Sequence, residues 1–69
     1  MIDKLKMINE KHIEANKENP ERLQKFKLIK EILNQKECFL NMSIDYAYSI
    51  LRDLQIPESQ LKYVYSQLI

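Results

Sequence analysis

Glycine is missing from all 69 residues, so left-handed turns and the Gly-rich loops that cradle phosphates lack their usual building material. Histidine and cysteine occur once each and tryptophan not at all. A single cysteine cannot close an intramolecular disulfide, and a lone thiol suits a reducing compartment, which points to the cytoplasm. No long apolar run is present either. Met1 to Glu10 already mixes Asp3, Lys4, Lys6 and Glu10 among its apolar residues, which excludes the uninterrupted core of a signal peptide or membrane span. Neither sign of charge dominates: eleven basic and ten acidic residues give a formal net charge of +1, too little to steer the chain toward nucleic acid or anionic lipid at long range. A single domain of this length buries only about 60% of its unfolded surface. Without disulfides or a metal cluster, its stability must come from well-packed helices or from self-association, so a homodimer is among the expected states.

What remains is helical periodicity. Ile2, Leu5, Ile8, Ile13 and Ala15 gather on one face at about 100° per residue, which predicts an amphipathic helix over about 2–16. Asn19 followed by Pro20 is an N-cap with a first-turn proline, and a second helix is expected over about 20–34. Its apolar residues, Leu23, Phe26, Leu28, Ile29, Ile32 and Leu33, span an arc of about 200°, which places it at the centre against two neighbours. The period fails between Gln35 and Met42, where a loop is expected to tuck Phe39 into the core. Ser43 then caps a third helix over about 43–54, with Ile44, Ala47, Ile50, Leu51 and Leu54 as its stripe. A fourth, over about 57–68, starts at Pro57 and buries Leu61, Val64, Tyr65 and Leu68. No segment alternates as a strand does. The expected fold is all-α: one domain over 1–69, a small bundle of three to four short helices ending in a C-terminal helical hairpin.

The segment from Ile50 to Val64 carries the most specific local pattern. An apolar pair closes one helix, a short turn carries Ile56, and Leu61 and Val64 follow five and eight residues later. It resembles the helix-turn-helix unit of DNA-binding proteins. Leu51 stands where that family keeps a small residue, and Gln55 where it usually keeps the turn glycine. The resemblance implies Ser59, Gln60 and Tyr63 near base edges and Lys62 near phosphate, making the chain a nucleic-acid-binding regulator. Charge argues the other way. From Cys38 onward Arg52 and Lys62 face Asp45, Asp53 and Glu58, whereas DNA affinity comes mainly from phosphate neutralisation.

On the outward face of the last helix, Ser59, Tyr63, Ser66 and Gln67 form an uncharged patch with one aromatic, the composition of a protein-recognition surface. His12 lies within the first helix's apolar stripe with no second ligand at i+3 or i+4, so it reads as a packed histidine in the core or a dimer seam, and Cys38 as a small buried hydrophobe. Neither has a partner for nucleophilic or acid-base chemistry. Lys25, Lys27 and Lys30 offer one basic face where RNA or an acidic partner could dock. The reading that follows is a small cytoplasmic protein-interaction or regulatory module, without cofactor, metal or catalysis. Its partner surface comprises Ser59, Gln60, Lys62, Tyr63, Ser66 and Gln67, and its partner is another protein rather than nucleic acid or a membrane.

Overall fold

The computed structural model describes residues 1–35 and 37–69; Lys36, on the expected loop, lies outside the described residues. Among the described residues four α-helices follow one another: α1 (Ile2–Ala15), α2 (Pro20–Leu33), α3 (Ile44–Asp53) and α4 (Leu61–Leu68). No strand occurs among the described residues.

The starts and stops have local causes. At the end of α1 the Asn16 backbone N–H donates to the His12 carbonyl at 3.1 Å, and the Asn16 side-chain amide donates to the same carbonyl at 2.7 Å. Asn19 Oδ1 accepts from the Arg22 N–H at the head of α2, and Ser43 Oγ accepts from the Tyr46 N–H at 3.1 Å at the head of α3. Beyond α3 the backbone turns through Gln55, whose φ is 65°. The Gln55 N–H donates to Arg52 and the Ile56 N–H to Leu51, the paired bonds of a Schellman ending built without glycine. Pro57, expected to open the last helix, is instead extended at ψ 142°. A 3₁₀ turn over Glu58–Gln60 intervenes, tied to α3 by the 2.6 Å contact of Arg52 Nε with Glu58, and α4 proper begins at Leu61.

α1 and α2 pair antiparallel, as the stacking of His12 on Phe26 and the Glu10–Lys30 ion pair require. α3 and α4 form the second pair, with Tyr48 and Tyr65 meeting edge to face at 5.6 Å. Phe39 drops into the shared core from the connection between the pairs and is only 1% exposed, joining Leu5, Leu33, Leu51 and Leu54 in one apolar cluster. A radius of gyration of 11.6 Å matches the roughly 11 Å of a folded domain of this length, so α1 docks on the rest and does not swing free.

The core departs from expectation at α2, at Ile44 and at Ala15, which is exposed, and it takes in Asn9, for which periodicity gave no expectation. α2 buries a narrow stripe of Phe26, Ile29 and Leu33, while Leu28 is 53% exposed. Leu28 sits about 160° around the wheel from Phe26, and α1 covers only the opposite side. α2 is therefore a flanking helix, not the central one. Ile44 is exposed because it is the first residue of α3, a full turn short of buried Ala47 at the end of the core. Asn9, a polar residue on the face of α1 that packs inward, is buried alongside Leu5.

Candidate interaction face

α4 turns Leu61 and Val64 inward, with Tyr65 and Leu68 half-buried beside them. Helical geometry then sends Lys62, Tyr63, Ser66 and Gln67 outward, and all four are exposed, as are Ser59 and Gln60 in the preceding 3₁₀ turn. All six expected residues are thus exposed, within the stretch from Ser59 to Gln67. Tyr63 dominates it at 62% exposure. Ser66 Oγ donates to the Tyr63 carbonyl at 2.6 Å, so its proton is held within the helix, and the Tyr63 phenol and the Gln67 amide are left as the outward polar groups. Lys62 is the sole charge in α4.

The rest of the surface differs in kind, because it is dense in charge of both signs, and four ion pairs are formed among the described residues. Glu14 meets Lys17 at 2.8 Å, Glu10 meets Lys30 at 2.9 Å, and Lys25 meets Asp53 at 2.9 Å across the two helical pairs. Two of the three lysines expected to form a basic face on α2 are therefore engaged with carboxylates. Arg52 is engaged as well: Glu58, through its hydrogen bonds and then its charge, pushes the guanidinium still higher than its ordinary value. Gln55 takes the left-handed conformation at the position that corresponds to the helix-turn-helix glycine, but the helix after the turn begins only at Leu61. A DNA backbone, with its row of phosphates, would find few unpaired cations on this hairpin: Lys62 is the one cation from Cys38 onward that enters no ion pair among the described residues.

Gln67 also lies at the rim of an open groove of about 520 Å³ between the start of α1, the end of α2 and the end of α4, floored by Ile2, Leu33, Cys38 and Phe39. Sequence reading missed this groove, since its walls come from three separated segments and no local pattern announces their meeting. Cys38 is buried, and desolvation pushes its thiol up, opposed by backbone N–H groups of Phe39 and Cys38 and by nearby Lys6. A raised thiol pKa lowers the thiolate fraction and with it nucleophilicity. His12 is half-buried with its ring flat on Phe26, 4.8 Å between centroids and 7° between planes. Cys38 and His12 line different cavities, at the groove and at a separate cleft. Among the described residues, no group of three or more His, Cys, Asp or Glu side chains is placed to hold a metal ion, and no helix is long and apolar enough to cross a membrane. Set against known proteins, the chain matches no family model, no curated protein and no solved structure.

Proposed function

We propose that the chain is a small protein-interaction module of the cytoplasm that docks another protein on the outward face of α4 and works by binding, not turnover. The observation that carries this reading is the contrast in surface chemistry. Elsewhere the lysines and glutamates of a solvated surface prevail, whereas α4 presents a well-exposed tyrosine among serine and glutamine with one lysine at the edge. Interfaces are depleted in charge and enriched in tyrosine at their centres. Two further features support it. The apolar stripe of α1 is covered by α2 within the chain, so α1 is not the exposed surface a partner would meet. The single histidine and the single thiol lie in separate cavities, so they do not converge as a catalytic pair would.

The test is site-specific photo-crosslinking in the cells that make the protein, with a benzophenone side chain replacing Tyr63 in one variant and exposed Met7 in another. A discrete adduct formed from position 63 and not from position 7 is expected; an adduct of twice the chain's mass would identify the partner as a second copy. Identical diffuse ladders from both positions, or a nuclease-sensitive adduct from position 63, would overturn the proposal. The nuclease-sensitive result would establish the helix-turn-helix reading in its place.

A further inference from the structure

The end of α1, the first half of α2 and the end of α3 converge on one polar cleft, lined by His12, Arg22, Lys25, Arg52, Asp53 and Gln55. It is separate from the α4 face and from the groove at Cys38. Lys25 is matched there by Asp53, and Arg52 by Glu58 just outside the lining, which leaves the charge of Arg22 in excess.

Its donors are not exhausted. Arg22 enters no ion pair among the described residues. Arg52 gives Nε and one N–H of Nη2 to Glu58, which leaves three of the five guanidinium N–H groups. Lys25 holds Asp53 with one of its three ammonium protons. His12 is fixed as one wall by its stack on Phe26. Gln55 adds a side-chain amide from a left-handed backbone position that glycine would occupy at lower cost.

The volume, about 280 Å³, lies just under the roughly 300–1,000 Å³ of drug-sized pockets, which suits a single compact group. Guanidinium groups favour a partner that accepts paired hydrogen bonds, and a phosphate monoester, with about −1.5 to −2 charges at neutral pH, brings three acceptor oxygens for the N–H groups that Arg22, Arg52 and Lys25 have left. We propose that this cleft binds the phosphoryl group of a small phosphorylated ligand.

The test titrates the isotope-labelled full chain with inorganic phosphate and, separately, with O-phosphoserine, ionic strength being held constant with sodium chloride. Saturable shifts are expected in the Nε–H signals of Arg22 and Arg52, the His12 ring and the Gln55 amide. Tighter binding of O-phosphoserine would identify an organic monoester as the ligand, and equal binding free phosphate. Arg22→Gln should weaken binding about tenfold with the spectrum otherwise intact, and Lys4→Gln, at the far end of α1, should leave it unchanged. Shifts that grow linearly without saturating, equal shifts with chloride alone, or an Arg22→Gln variant that binds as the parent does would each overturn the proposal.

Discussion

Gln55→Gly should stabilise the protein, and the size of the gain follows from the turn after α3. Gln55 sits at φ 65°, between a carbonyl bond of its own N–H to Arg52 at 2.8 Å and the bond of Ile56 to Leu51 at 3.0 Å. These two bonds hold the left-handed conformation in place, so the residue cannot relax out of it without losing both. An L-residue there costs about 1–2 kcal/mol. Glycine removes that cost and returns about 0.5–1 kcal/mol through its greater freedom in the unfolded chain. The net gain is about 0.5–1 kcal/mol, equivalent to about 3–6 °C in Tm for a domain of this size. Thermal and urea unfolding followed by circular dichroism measure it directly. Gln55→Ala is the control, because alanine keeps the backbone cost and should stay within about 0.5 kcal/mol of the parent. An unchanged or lowered Tm for the glycine variant would refute the strain argument, and a gain shared equally by alanine would trace it to the side chain instead. The same glycine variant removes an amide from the cleft, so higher stability should come with weaker phosphate binding.

Phe39→Ala removes the largest fully buried side chain and should cost about 3–5 kcal/mol, comparable to the total a core this small supplies. Loss of the cooperative melt at 25 °C is the expected result, with Phe39→Leu still folded; a Tm within a few degrees of the parent would show that the core does not close around this residue. Cys38 should react slowly with iodoacetamide in the native state and quickly in urea, since burial raises its thiol pKa. The sign for stability follows: a pKa raised by folding contributes stability below the thiol's unfolded titration range and loses it as pH rises through the folded value. Alkaline melts should therefore fall more steeply for the parent than for Cys38→Ala.

Much of the fold was legible because its punctuation is local. Asn19, Pro20 and Ser43 act within three residues of themselves, and the structure bonds each cap as its residue type implies. Phe39 was legible for another reason: a bulky aromatic in an aperiodic stretch has no surface role to fill. Burial of α2 was not legible, since periodicity reports which residues are apolar and not how many neighbours arrive to cover them. Leu28 is apolar on a face that nothing covers. Asn9 is the converse. It is 1% exposed and donates to the Phe26 carbonyl at 2.9 Å, while its Oδ1 lacks a partner among the described residues. Nothing in its type signals burial, because that bond exists only once α1 and α2 stand in register. The α4 face was readable as a run of six neighbouring residues, whereas the cleft joins His12 to Gln55 across 43 positions of sequence, and only the packing of both helical pairs brings them together.

That packing gives Glu58 a particular role. It lies outside the cleft lining but holds Arg52, which lines it, and it opens the 3₁₀ turn that leads into α4. A phosphoryl group in the cleft and the Glu58 carboxylate thus compete for one guanidinium. Glu58→Gln removes the competing charge while keeping a side chain that can still accept from Arg52. At separations of a few Å in a solvent-exposed setting, one unit charge changes anion affinity by about fivefold, so Glu58→Gln should tighten phosphate binding by that amount, and less as salt is raised. Titration of the parent should also move the amides of Glu58 to Gln60, because the ligand draws on the residue that anchors them. Calorimetry or amide shifts at two salt concentrations would measure both effects. Unchanged or weaker binding in Glu58→Gln would mean that Arg52 does not face the ligand, and the cleft would then have to bind through Arg22 and Lys25 alone.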